Sequence, residues 1–161
     1  MIRSACPSDA ADIATIYNHY ITGTTVSFEE APVSTTEMEN RLKSVSEASL
    51  PWLVFEEDGQ LKGYAYASKW KPRSAYRFSV ESSVYLRHDC TGRGLGRLLY
   101  EALFAELARR GIHSVIGGVA LPNEASVALH EKLGMKKIAH FEEVGFKFGK
   151  WLDVAYWQKR L

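Results

Sequence analysis

The segment Thr91-Gly92-Arg93-Gly94-Leu95-Gly96-Arg97 constrains the fold of this chain more than any other. It joins a β-rich stretch, Phe78 to Leu86, to the strongest helical pattern in the sequence, Gly94 to Arg110. That helix should turn Leu95, Leu98, Leu99, Ala102 and Leu103 inward. It pairs Arg97/Glu101 and Glu106/Arg110 at i, i+4 and stops at Gly111. The glycines allow positive φ and close approach of a ligand to the backbone. The first amides of a helix have no internal acceptor and sit at the positive end of its dipole, so they suit an anion. Arg93 and Arg97 add charge at the same place, which makes a diphosphate the natural occupant. A bare glycine motif also reads as a flexible turn with two solvated arginines; the strand-loop-helix setting favours the anion site. The loop is not a P-loop, since no Lys-Ser/Thr follows Gly96. Nor is it the dinucleotide G-x-G-x-x-G, since Arg97 takes the final glycine position.

Other elements follow from periodicity. Ile2 to Cys6 reads as a strand ending at Pro7, and Ser8 or Asp9 can cap a helix carrying Ile13, Ile16, Tyr17 and Tyr20 on one face. Ser34-x-x-Glu37 matches a capping box and opens a polar helix to about Glu47. Trp52 to Glu56, Asp58-Gly59 and Lys62 to Ala67 form a hairpin pattern. Ser114 to Ala120 is an apolar strand, Asn123 to Leu133 a helix closed by Gly134, and Lys136 to Phe146 and Trp151 to Lys159 two final strands around Gly149. The expectation is one domain over residues 1–161, α/β or α+β, with helices on both faces of a mixed sheet.

Composition bounds the function. The 161 residues carry 20 Lys+Arg against 19 Asp+Glu, a net charge of +1, which gives no general footprint for nucleic acid or an acidic membrane. No apolar run approaches the roughly 20 residues of a membrane span, and MIRSACPSDA does not read as a secretory leader. Cys6 and Cys90 give neither metal spacing nor a disulfide framework. Cys6 is expected as a small core residue of the first strand. A cytoplasmic protein without a metal is the expectation.

Alternation puts Val80, Ser82, Val84 and Leu86 on one face of their strand and Glu81, Ser83 and Tyr85 on the other. If Glu81 is buried, its pKa rises from about 4.3 toward the range of a general base. If that face is open, Glu81 is a solvated carboxylate or the partner of an arginine.

The glycine loop, the strand before it, and Asn123 followed by Leu129-His130-Glu131-Lys132-Leu133-Gly134 together resemble the GCN5-related N-acetyltransferase superfamily. Within it, Trp70-Lys71, Arg73, Ala75-Tyr76, Val80-Glu81-Ser82, Val84-Tyr85 and Leu121-Pro122-Asn123 are similar to the phosphinothricin and methionine sulfone/sulfoximine N-acetyltransferases. So are Thr25-Val26, Phe28, Pro51-Trp52-Leu53-Val54, Gly145, Lys147, Gly149, Trp151, Asp153-Val154 and Trp157-Gln158. The resemblance runs from about Ile2 to Gln158. It implies a twisted mixed sheet that splays open between the strands ending near Leu86 and beginning near Ser114. Acetyl-CoA would lie in the splay, its pantetheine against Val84, Tyr85 and Leu86 and its pyrophosphate on Gly92, Arg93, Gly94, Leu95, Gly96 and Arg97. Asn123, Ser126 and Lys132 would reach the cofactor from the next helix. Two positions depart from the superfamily pattern. Thr91 stands where Gln or Arg is common, and His130 where many members carry Tyr, although phosphinothricin-type members tend to have His there.

The implied chemistry is acetyl transfer from a thioester to the α-amino group of a small amino-acid analogue. An ammonium must lose a proton before it attacks, so a base is required. Glu81 is the first candidate and Glu29, beside Phe28, the second. A backbone N–H near Val84 or Tyr85 would hold the oxyanion. His130 would protonate the thiolate, or water would do so and the histidine would be structural. Arg73, with Ser74, Ala75 and Tyr76, would select a carboxylate or phosphinate; Phe28 and Trp70 would wall an apolar slot, or Trp70 would pack against protein. The resemblance also implies a homodimer. Other acceptors (a protein N-terminus, a polyamine) or a non-catalytic acyl-CoA-binding module are the competing expectations.

Overall fold

Asp58 and Gly59 both take positive φ, 53° and 69°. That turn closes a hairpin between β2 (Trp52–Glu57) and β3 (Gln60–Lys69) in the computed structural model, which describes residues 1–161. β1 (Ile2–Ser4) pairs with the outer edge of β2, and β3 continues antiparallel into β4 (Ser79–Leu86). The crossover helix α3 (Leu95–Arg109) returns the chain to β5 (Ser114–Ala120), which runs parallel to β4. A short helix, α4 (Glu124–Lys132), precedes the terminal hairpin of β6 (Lys136–Lys147) and β7 (Lys150–Arg160). β7 inserts beside β5, giving the order β1-β2-β3-β4-β5-β7-β6. The remaining helices, α1 (Ala10–Gly23) and α2 (Thr35–Glu47), lie between β1 and β2 in sequence.

Two helices cover each face. Tyr17 and Tyr20 of α1 pack on Tyr85, which packs on its cross-strand partner Tyr64. α1 and its neighbour α2 therefore lie on the face that carries Glu81, Ser83 and Tyr85. On the other face, Gly96 of α3 lets the helix close on Leu86 and on Leu129 of α4. Leu95, Leu99, Leu103 and Leu107 form the buried stripe of α3. Leu98 lies on the flank of that stripe and is 46% exposed, contrary to the inward placement expected from periodicity.

The N-terminal segment also differs from expectation. The first strand ends at Ser4, because Pro7–Asp9 winds into a 3-10 turn. Cys6 is exposed rather than a core residue. Asp9 stands at the cap position of α1, but its carboxylate accepts from Arg3 and from the Cys6 amide. Ser34 does cap α2, accepting from the Glu37 amide at 3.1 Å, while the Glu37 carboxylate turns to Arg41.

One local feature creates the site. β4 and β5 are in register only through Ser79↔Ser114, Val80↔Val115 and Glu81↔Ile116. Beyond those pairs Ser82–Leu86 and Gly117–Ala120 diverge, leaving the splay that the resemblance implied.

Candidate active site

The gap exposes the backbone of β4. The Arg87 amide donates to the Lys62 carbonyl (2.8 Å) and the Trp70 amide to the Ser79 carbonyl (3.3 Å). Odd-numbered residues of β4 thus turn their peptide groups to β3, and Ser82, Val84 and Leu86 turn theirs to the gap. The Leu86 carbonyl accepts from the Tyr20 hydroxyl at 2.6 Å. Val84 N–H, Val84 C=O and Leu86 N–H are left along the open edge, where an extended amide-bearing chain can pair as a strand would. The Tyr85 amide faces β3, so of the two oxyanion donors expected from sequence only Val84 lies on the gap.

At the end of that edge the chain enters the glycine loop. Gly92 and Gly94 take φ of 76° and 79°. The first bond of α3 runs from Leu98 N to Gly94 O at 3.2 Å, leaving the amides of Leu95, Gly96 and Arg97 without a helical acceptor. The arginines do not simply add to this charge. Arg93 Nη2 donates to both Glu57 carboxylate oxygens (3.0 Å each), and Arg97 pairs with Glu101 at 2.7 Å. The free anion-attracting groups are therefore the backbone amides. Across the gap Asn123 caps α4 by accepting from the Ser126 amide at 3.1 Å. Asn123, Ser126 and His130 line one cleft with Ser82, Val84, Tyr85, Tyr100 and Val26. Lys132 stands apart, exposed at the far end of α4 and roughly 9 Å along the axis from Ser126.

Two adjacent glycines show how the cleft is divided. A Cβ on Gly118 would lie 2.9 Å from Tyr156 Cε1 and 3.4 Å from Glu81 Oε1, whereas one on Gly117 would lie 2.5 Å from His130 Nε2. Neighbouring strand residues point to opposite faces, so Glu81 and His130 approach the splay from opposite sides of the sheet. Glu81 shares its side with Tyr156 and with Trp70, which meets the Tyr156 ring edge-on at 5.8 Å. Burial pushes the Glu81 carboxyl above its usual pKa, and Lys71 opposes that rise.

His130 is 3% exposed. Its Nδ1 lies 2.6 Å from the Ser126 carbonyl, which can only accept, so Nδ1 carries the proton and Nε2 is the bare nitrogen. Nε2 has no partner, and burial lowers the ring's pKa. The resting side chain is a neutral imidazole with no proton to give from Nε2. Glu29 is equally far from a poised proton carrier: it accepts two bonds from Arg41 (2.9 and 2.7 Å) and one from the Tyr17 hydroxyl. The guanidinium holds its carboxyl below the usual range.

The turn Arg73, Ser74, Ala75 and Tyr76 is exposed and follows Trp70 and Lys71, which act on the Glu81 side, and the Arg73 guanidinium donates to no other residue. Phe28, 40% exposed, lies over Gly145, where a Cβ would come within 2.1 Å of the ring. Sequence reasoning missed Tyr156, Gly118, Tyr20 and Arg41. Periodicity places Tyr20 on the inner face of its helix but gives none of the four a role in the site, because each matters through a partner on another element. No group of three or more His, Cys, Asp or Glu side chains gathers as a metal site, and no helix is long and apolar enough to cross a membrane. A larger crevice of about 740 Å³, lined by His113, Gly134, Lys136, Lys159 and Arg160 among others, lies at the other end of β5. The strands are paired there and offer no open backbone edge.

Comparison with known proteins places this geometry. The family described as Acetyltransferase (GNAT) domain matches residues 2–156. The chain is 42% identical over 161 residues to the phosphinothricin N-acetyltransferase of Alcaligenes faecalis, covering 99% of this chain and 82% of the relative. It is 39% identical over 163 residues to the L-methionine sulfoximine/L-methionine sulfone acetyltransferase of Salmonella typhimurium, covering 99% and 94%. The solved structure of a GNAT superfamily phosphinothricin acetyltransferase from Sinorhizobium meliloti in complex with acetyl-CoA superposes with a TM-score of 0.97. Its sequence is 34% identical, with 100% of this chain and 88% of that one covered. The chain belongs to the GNAT acetyltransferase family.

Proposed function

We propose that this chain is a single-domain N-acetyltransferase that moves the acetyl group of acetyl-CoA to the α-amino group of a small amino-acid analogue. Phosphinothricin, methionine sulfoximine and methionine sulfone are the acceptors of first choice, the substrates for which its relatives are named. The observation that carries this reading is the half-buried Glu81 facing Gly118 across the gap, beside an open β4 edge that ends in the glycine loop.

In this reading pantetheine pairs with Val84 and Leu86, and the pyrophosphate rests on the amides of Leu95 to Arg97. Glu81, with its raised pKa, takes a proton from the acceptor ammonium, either directly or through one water. The free amine attacks the thioester carbonyl from the Glu81 side. The Val84 amide holds the oxyanion as the C–S bond breaks, and the thiolate leaves on the opposite side of the sheet. His130, neutral and hydrogen-bonded to Ser126, shapes that side, and the second proton lost by the attacking nitrogen passes through water to the thiolate. Arg73, exposed in the turn after Lys71, offers two parallel donors to the acceptor's carboxylate or phosphinate.

The same reading makes the molecule a cytoplasmic homodimer without a resident metal. Ile138, Phe141, Val144 and Phe146 of the edge strand β6, with Phe148 and Trp151, are all at least half exposed. So much apolar surface on one sheet edge favours a second copy as its cover.

The test is thiol release from acetyl-CoA with the three analogues, polyamines and an N-terminal peptide as acceptors. Turnover confined to the analogues is expected; turnover on the polyamines or peptide instead would overturn the acceptor assignment. Glu81→Gln should lower kcat by about 10²–10⁴-fold with little change in acetyl-CoA binding. Arg73→Ala should raise the acceptor KM well above any change in the acetyl-CoA KM, whereas equal losses for both would make it structural.

A further inference from the structure

Lys147 is one of the most deeply buried side chains of the protein, 2% exposed near the end of a mostly exposed strand. A lysine so placed must spend its donors on strong acceptors, because burying an unpaired ammonium is costly. Its Nζ donates to the Ile21 carbonyl at 2.7 Å and the Ser27 carbonyl at 2.6 Å, and lies 5.0 Å from the centre of the Phe148 ring. The Ile21 carbonyl belongs to the last turn of α1, where orphan carbonyls and the negative end of the dipole welcome a cation. Ser27 belongs to the connection between α1 and α2. One ammonium thus ties that connection to the helix before it and to β6.

Three side chains of the same connection are fixed near the candidate site, one in the cleft itself and one through Tyr17, which packs on the cleft residue Tyr85. Val26 lines the cleft, Glu29 is held by Tyr17 and Arg41, and Phe28 rests on Gly145, two residues before Lys147 on β6. Ser27, whose carbonyl Lys147 grips, lies between Val26 and Phe28, so a shift of that carbonyl moves both. We propose that Lys147 is a positioning residue for the acceptor: it sets the segment carrying Phe28 and Glu29 as one wall of the acceptor site, and affects acceptor binding far more than cofactor binding, which rests on the β4 edge and the glycine loop. This inference rests on the acceptor site proposed above, and it assigns a chemical purpose to a lysine that makes no contact with the cleft itself.

The test compares Lys147→Met, which keeps length without charge or donors, with Lys147→Arg, which restores both. Lys147→Met should raise the acceptor KM at least tenfold, move the acetyl-CoA Kd less than twofold, and speed hydrogen exchange at the amides of residues 26–30. Lys147→Arg should recover most of the acceptor KM. Parallel losses for acceptor and cofactor, or an unchanged acceptor KM with faster exchange, would overturn the proposal and leave Lys147 a stability residue. If Lys147→Met does not fold, Gly145→Ala probes the same wall by displacing the Phe28 ring and should give the same split; an unchanged acceptor KM in that variant overturns the coupling. Should the wild type acetylate none of the acceptors, the proposed function fails first. The exchange experiment then still decides whether Lys147 orders residues 26–30 independently of acetyl-CoA binding.

Discussion

A carboxylate that deprotonates an amine near neutral pH needs a pKa above the ordinary range, and the three carboxyl-bearing or imidazole groups first considered for proton transfer meet very different environments. Glu29 is fixed as an anion by Arg41, and His130 is kept neutral by burial. Glu81 alone is raised, by burial, with Lys71 pulling the other way. The sign of the pH dependence follows. Glu81 works only when ionised, so kcat/KM for the acceptor should rise with pH through a Glu81 pKa that burial holds above the ordinary glutamate range. Removing the opposing cation in Lys71→Met should move that rising limb to higher pH. A limb that stays in place would mean that it reports the acceptor's own amine, whose pKa is near 8 or above.

At the scale of elements, the parts written in local periodicity were legible before the structure. Ser114–Ala120 forms the strand expected, α3 follows the glycine loop, and the alternation along β4 puts Glu81 and Ser82 on opposite faces. What the sequence did not show depends on pairing across distance. The gap exists because β4 and β5 part company after Glu81↔Ile116, and no residue type announces that point. Arg93 reads as an anion-loop cation until Glu57, 36 positions away, takes it. Gly117 and Gly118 looked like one apolar strand segment, yet they front opposite halves of the cleft. Their alanine variants should therefore fail differently. Gly117→Ala drives a methyl group into the buried His130 ring and should cost about 1–3 kcal/mol in urea unfolding, with weaker acetyl-CoA binding as α4 shifts. Gly118→Ala crowds Tyr156 and Glu81 at an exposed position and should spare stability while lowering acceptor kcat/KM. Identical phenotypes for the two would contradict the division of the site by the sheet.

For the whole molecule, β6 links the two surfaces that matter. Its final residues alternate: Gly145 and Lys147 face inward to Phe28 and Ser27, while Val144 and Phe146 face outward. Phe146 meets Trp151 of β7 at 4.9 Å between ring centres, and Trp151 is 62% exposed. If a second copy covers this edge, it also braces the strand that holds the acceptor wall, and assembly becomes coupled to acceptor affinity. The double variant Phe146→Glu/Trp151→Glu puts like charges at the centre of such an interface, and it should convert a two-chain mass in sedimentation equilibrium to a one-chain mass. It should also raise the acceptor KM while leaving the acetyl-CoA Kd unchanged, because the glycine loop and the β4 edge lie on other elements. A wild-type chain that sediments as a monomer would remove the dimer. A variant that dissociates with its acceptor KM intact would keep the dimer but show that each subunit holds its acceptor wall alone, through Lys147 and Gly145.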